Sequence, residues 1–289
     1  MRPIIRVSVV STGAVQIRPE HVQSDGSPLA WWLLTSRRWT APRPINVYVI
    51  EHRRGLVLFD TGQDRASVTD PGYFPRGLPG LLYARLARFA ISADQTLTRQ
   101  LLHLGYDIAD VRIAVLSHLH QDHIGGLSEL TGAEIVVSAR ERAELDRPLA
   151  ATVGGLLRDH IDLPGLRWTP VTPSPVDDPS IAPFTHAHDL FGDGSLVLVP
   201  TPGHTPGSLS LLLRQPGIAP LLFVGDLTYD VDLLDSGRVP GVGSRRGLRG
   251  SSRAVNQLRT AYPDLVILPA HDPSAADRLR RAVAASVLA

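Results

Sequence analysis

Short apolar runs rich in β-branched residues recur along the chain. Turns bearing Gly or Pro separate them, with a few stretches of helical spacing between. Residues 4–11 read as a first strand, and residues 45–50 and 55–59 as two more. The polar turn Glu51-His52-Arg53-Arg54 makes the latter pair a hairpin. Residues 112–116, 135–137, 195–199, 208–213, 220–224 and 265–268 continue the series. Helices are expected at 81–91, 96–104, near 127–130, and at 139–147, 251–262 and 274–288. Gly105 and Pro148 provide stops for two of them. Residues 69–82 are rich in Gly and Pro. Residues 19–44, with Trp31, Trp32 and Trp39 among Ser, Arg and Pro, read as irregular, as does the Pro-rich stretch 162–185. The tryptophans serve either a partner or substrate surface or as a cover over the core. Strands in groups with helices between them predict a mixed α/β or α+β fold with helices covering sheet. No stretch reads as a linker, so residues 1–289 are expected to form a single domain.

Composition narrows the function classes. A hydrophobic share of 43% with 20% charged residues describes an ordinary globular chain with a real core. The formal net charge of +1 gives no reason to expect nucleic acid or an anionic membrane as partner. Every Lys or Arg counted is Arg, which reads as genomic bias. Cysteine is absent, which rules out disulfides, thiolate chemistry and any metal site needing a Cys ligand. That is compatible with a reducing cytoplasm, the expected location. The N-terminus lacks the apolar run of a signal peptide, and no stretch approaches the ~20 apolar residues of a membrane span.

Chemistry concentrates at the ends of strands. After the run 112–116 comes Ser117-His118-Leu119-His120-Gln121-Asp122-His123-Ile124-Gly125-Gly126, with three histidines and a carboxylate within six residues. Imidazole and carboxylate suit zinc and similar divalent ions. A loop here can curl His118, His120, Asp122 and His123 around one point or two. His204 follows a second strand in the rigid turn Thr201-Pro202-Gly203-His204-Thr205-Pro206-Gly207, Asp226 ends a third, and His271 a fourth. Side by side, these strands would bring seven donors to one edge. That is the supply for two ions with three private ligands each and one shared carboxylate. Such ions sit roughly 3.5–4 Å apart. Asp60 ends a fifth strand and is either a turn former or a residue that orients a ligand. His186 and His188 form a further H-x-H, but after a Pro-rich loop instead of a strand. His21, His52, His103 and His160 are isolated and read as surface or capping residues.

The set H-x-H-x-D-H, then His, Asp and His, resembles the metallo-β-lactamase superfamily over about residues 45–272. Within it, the chain is most similar to the N-acyl homoserine lactone lactonases. Those carry a Tyr three residues after the bridging Asp, as Tyr229 follows Asp226, and a similar Pro-Gly-His-Thr-Pro-Gly turn. The resemblance implies an αββα sandwich with the site at one edge of the two sheets. It implies His118, His120 and His204 on one ion, Asp122, His123 and His271 on the other, Asp226 bridging, and Asp60 orienting the site. Gln121 stands where several lactonases have a bulky apolar residue. A homodimer through residues 65–95 is a further implication.

The mechanism expected from this is lactone opening by a metal-bridging hydroxide, with zinc the default ion and Co, Mn or Fe fitting the same donors. Tyr229 would donate to the oxyanion and Asp122 would carry the proton from nucleophile to leaving alkoxide. Tyr229 has an alternative role closing a loop over the core. Other activities compatible with the ligand set are thioester hydrolysis of the glyoxalase II type and phosphotriester or aryl-ester hydrolysis. The thioesterases usually add a helical C-terminal domain, and only 17 residues follow Asp272. A β-lactamase fits less well, since one common class needs a Cys ligand and others lack the bridging Asp. A non-catalytic metal-binding module using the Trp-rich stretch is the reading from a different class.

Overall fold

A computed structural model describes residues 2–287. Its strands are β1 (Ile4–Ile17), β2 (Arg43–His52), β3 (Gly55–Phe59), β4 (Ala87–Ala90), β5 (Val111–Val115), β6 (Glu134–Ser138) and β7 (Arg167–Val171). There follow β8 (Ser174–Pro175), β9 (His186–Asp189), β10 (Leu196–Pro200), β11 (Leu209–Leu213), β12 (Leu221–Gly225) and β13 (Val266–Pro269). One sheet has the order β4-β1-β2-β3-β5-β6-β7 and the other β13-β12-β11-β10-β9-β8. The two sheets stack, and helices cover both outer faces.

The layers follow from alternation along the strands. In β2, Tyr48 and Ile50 join Val57, Phe59 and Val115 against Leu198, Leu211 and Phe223 of the second sheet. The intervening Val47 and Val49 face the other way, onto Leu97 and Leu101 of the helix Leu97–Leu104. Gly105 ends that helix in the left-handed conformation, as its position in the sequence suggests. On the far side, Val197, Leu212 and Val224 pack on Leu248, Val255 and Leu258 of the helix Arg245–Ala261. Helix, sheet, sheet, helix is the expected αββα sandwich.

Strand direction positions the site. β3 and β5 are parallel neighbours, as are β12 and β13, and β10 and β12 both run antiparallel to β11. The C-terminal ends of β3, β5, β10, β12 and β13 meet at one edge, where the donors lie. Backbone hydrogen bonds from Leu209 N to Ser117 O and from Asn46 N to Ala270 O stitch the two sheets together there.

Several local expectations are corrected. β1 runs six residues past residue 11, crossing a bulge at Gly13 where φ is +128°. Residues 19–44 contain the helices Pro19–Val22 and Leu29–Thr35. Trp32 is buried, Trp31 is 65% exposed, and the guanidinium groups of Arg18 and Arg88 both stack on Trp39. The helix expected at 81–91 is Leu78–Leu86, and the chain then turns into β4, which pairs with the end of β1. The stretch 162–185 holds β7 and β8. β7 closes the first sheet, an edge position where Pro170 can sit without its missing N–H disrupting a central ladder. The helix expected at 139–147 ends at Ala143, and that expected at 251–262 begins earlier, at Arg245. The last expected helix is Ala275–Val287; residue 288 lies outside the described residues.

Candidate metal centre

The loop after β5 brings in the first four donors. It is partly helical: His120 caps a single turn, Gln121–Ile124, closed by His123 N to His120 O at 3.0 Å. That turn separates the donors, with His118 and His120 on the extended part and Asp122 and His123 on the helical part. The rigid turn after β10 adds His204, and the ends of β12 and β13 add Asp226 and His271. Gly225 precedes Asp226 with φ +53°, and a Cβ there would lie 2.7 Å from the Ser117 side chain, so a side chain would push the two strand ends apart.

All seven expected donors converge. His118, His120 and His204 form one group whose ligand atoms could hold an ion, and Asp122, His123 and His271 form another. His118, His123 and Asp226 make a third combination joining the two. His120 Nδ1 lies 3.0 Å from His118 Nε2 and 2.9 Å from His204 Nε2. Asp226 faces both groups. Its Oδ1 is 3.4 Å from His123 Nε2 and 3.4 Å from His271 Nε2, and its Oδ2 is 3.5 Å from His204 Nε2. Asp122 Oδ2 is 3.3 Å from His271 Nε2.

Partners on the outer ring nitrogens decide where the lone pairs point. His271 Nδ1 can only donate to the Pro44 carbonyl (2.9 Å), and His120 Nε2 only to the Gly154 carbonyl (2.8 Å). His123 Nδ1 meets Asp60 Oδ2 at 2.8 Å. Ser117 Oγ donates to Asp60 Oδ2 at 3.0 Å and so accepts from His118 Nδ1 at 2.9 Å. Four imidazoles thus turn bare nitrogens inward, as metal ligation requires. His123 Nε2, His271 Nε2 and Asp226 Oδ1 are buried with no hydrogen-bond partner. Such orphaned acceptors facing one another are costly unless a cation joins them. The donors therefore fit two divalent ions.

Burial lowers His123 and His271, but Asp226 and Asp122, with Asp60 behind His123, outweigh it and raise both, so this half of the site draws positive charge: a bound cation, or a proton without one. Burial, reinforced by neighbouring histidines, holds His118 well below the ordinary histidine range, and burial does the same for His204. Burial raises the Asp122 carboxyl, but His123 and His271 outweigh it and keep the group ionised. Burial and the adjacent Asp226 push the Tyr229 phenol well above its usual range, so it keeps its proton.

Tyr229 is buried, with its hydroxyl 2.7 Å from Asp226 Oδ2 and its ring stacked on His271 at 5.6 Å. Asp60 stands behind His123 as expected and has a φ of +62°, a conformation no other non-glycine residue shares among those described. Gln121 is buried, and its amide oxygen meets His160 Nδ1 at 2.5 Å and the Tyr73 hydroxyl at 3.3 Å. His186 and His188 lie in β9 and join none of the donor groups.

Sequence reasoning misses several contributors. His21, read as a surface or cap residue, reaches the Tyr229 hydroxyl at 2.9 Å. His160 packs on Tyr73 beside Gln121, whereas His52, also buried, stacks on Phe191 at the opposite end of β3 and takes no part in the site. Glu141 is buried. Its carboxylate accepts from Leu119 N at 3.1 Å and Gly207 N at 3.0 Å, tying the first ligand loop to the turn that carries His204. Nothing in an Arg- and Glu-rich helix marks that one acid as inward-facing.

Residues 40–271 match the family model of the metallo-beta-lactamase superfamily. The chain belongs to that superfamily. It is 32% identical over 241 residues to the N-acyl homoserine lactonase AttM of Rhizobium radiobacter, covering 83% of this chain and 86% of the relative. It is also 32% identical over 244 residues to a probable metallo-hydrolase of Mycobacterium tuberculosis, covering 79% of this chain and 74% of that one. Among solved structures, a B. thuringiensis AiiA variant with N-decanoyl-L-homoserine bound at its active site aligns with a TM-score of 0.73 at 21% identity. That alignment covers 93% of this chain and 94% of the other, and it shows the shared fold. The chain is thus a metallo-hydrolase of this fold, with His/Asp clusters consistent with a dinuclear site. Among the described residues no helix is long and apolar enough to cross a membrane.

Proposed function

We propose that residues 1–289 form one hydrolase domain that opens the lactone ring of N-acyl homoserine lactones. In this reading His118, His120 and His204 hold one divalent ion and Asp122, His123 and His271 a second. Asp226 would be the carboxylate common to both, and zinc suits the donors. Bound ions of this kind supply Lewis acidity toward a carbonyl and a water made acidic enough to act as nucleophile near neutral pH.

The chain's own residues do the rest. Water adds its oxygen to the lactone carbonyl carbon while the ring C–O bond breaks, giving a hydroxy acid. Asp122, ionised and beside His271, takes the proton from the attacking water and returns it to the leaving alkoxide. Tyr229, protonated and buried at Asp226, donates its hydroxyl hydrogen to the oxyanion that develops on the carbonyl oxygen. Asp60, Ser117 and the Pro44 carbonyl hold the imidazoles in register, so little reorganisation accompanies the reaction.

The observation that carries this reading is the Tyr229 phenol placed on the carboxylate common to both donor groups. The lactonase relatives support the choice of substrate. The test is a panel of N-acyl homoserine lactones, thioesters, β-lactams and phosphotriesters, assayed with metal-loaded protein. Preference for the lactones supports the proposal, and activity confined to thioesters or phosphotriesters overturns it.

A further inference from the structure

The Tyr229 hydroxyl has two side-chain partners of unlike chemistry. Asp226 Oδ2, at 2.7 Å, is a carboxylate oxygen and accepts. His21 Nε2 lies 2.9 Å away. A phenol carries one proton, and Asp226 takes it. The bond to His21 therefore runs the other way, with Nε2 carrying the hydrogen and the phenol oxygen accepting. His21 Nδ1 is left bare, and it is buried with no hydrogen-bond partner.

The ring is held in place for this. It meets Tyr229 edge-on, with centroids 5.3 Å apart and planes at 74°, and Trp32 flanks it at 6.1 Å. Its helix, Pro19–Val22, is pinned to the segment between β12 and the helix Arg245–Ala261. Gly241 N bonds to His21 O at 3.0 Å, and Ser24 N bonds to Val239 O at 2.9 Å. Desolvation outweighs the nearby carboxylates and lowers the His21 pKa to about 4, so the donor is a neutral imidazole near pH 7.

We infer that His21 is a positioning residue for Tyr229. Its Nε2–H fixes the phenol oxygen beside Asp226. When the phenol proton turns toward a developing oxyanion, the same bond draws electron density from the oxygen and makes that proton a stronger donor. Hydrogen bonds in series reinforce one another in this way. The inference rests on the reading of Tyr229 as oxyanion donor.

The test is a double-mutant cycle on the metal-loaded enzyme with N-hexanoyl-L-homoserine lactone, joined to a spectroscopic readout. His21→Leu removes the donor at similar bulk, and His21→Gln places an amide N–H near the same point. The expected result is a fall in kcat of about tenfold for His21→Leu. KM and metal content stay unchanged, His21→Gln restores most of the rate, and His21→Leu has no further effect in a Tyr229→Phe background. With ring-15N histidine, NMR should show the Nε2–H tautomer for His21 and a shift of that resonance in Tyr229→Phe. An Nδ1–H tautomer overturns the inference. So does metal loss in His21→Leu, or an equal effect of His21→Leu with and without the phenol. If Tyr229→Phe slows the enzyme while His21→Leu does not, the inference alone falls. If Tyr229→Phe leaves turnover unchanged, the oxyanion role falls and takes the inference with it.

Discussion

The two donor groups share Asp226 but are anchored differently. In the group of Asp122, His123 and His271, both imidazoles lean on the core. His123 bonds to Asp60, which is 1% exposed and is itself held by Ser117 N at 2.7 Å, and His271 bonds to the Pro44 carbonyl on β2. In the group of His118, His120 and His204, support is thinner. His118 is backed by Ser117, but His120 leans on the Gly154 carbonyl, in the turn that follows the helix Pro148–Val153, and His204 Nδ1 has no partner among the described residues. Partners on the outer nitrogen fix ring orientation and raise ligand basicity. The first-named group is therefore expected to hold its ion more tightly, and graded chelation followed by metal analysis should empty the His118 group first. The difference locates rigidity where strands end and looseness where loops supply the backing.

Substitutions can break or sharpen that contrast. Asp226→Ala removes what the groups have in common and has the largest expected effect. At least one ion should be lost by elemental analysis and turnover should fall with it; full retention of both ions refutes the shared carboxylate. Tyr229→Phe removes a hydrogen bond to Asp226 but no ligand. Lactone turnover should drop by roughly 10–10³-fold with both ions bound, and an unchanged rate removes Tyr229 from the chemistry. Asp60→Asn should lower metal affinity by roughly 10–100-fold in the group containing His123, which Asp60 contacts directly, and less in the other group, which it reaches only through Ser117 and His118, bringing the two groups level or reversing their order. A loss confined to the His118 group would contradict the assignment of anchors. Glu141→Leu acts on the looser group by leaving Leu119 N and Gly207 N unpaired. Each such buried donor costs about 1–3 kcal/mol, to be read as a lower denaturation midpoint, and unchanged stability would show that the two loops are tied by something else.

Much of this site is legible before any coordinates. Metal chemistry needs particular side chains, and here each follows an apolar run that announces a strand, so donor identity and donor placement are both local signals. The hairpin of β2 and β3 and the helix ended by Gly105 are local in the same sense. β7 is not. Pro170 argues against a strand, and β7 forms because β6 offers a parallel partner at the sheet's edge. β4 likewise owes its existence to the last residues of β1.

What the sequence by itself determines, then, is the inventory: seven donors, the alternation that makes two stacked sheets, and Tyr229 three residues past Asp226. What only the tertiary structure decides is which lone pairs face inward, how firmly each imidazole is backed, and that His21 arrives at a phenol 208 positions away. The reason is the range of the interactions. Periodicity and turn chemistry act over a few residues and leave a mark in composition. A hydrogen bond to the carbonyl of Pro44 or Gly154 uses a group every residue carries, so the sequence holds no sign of it until the chain has folded.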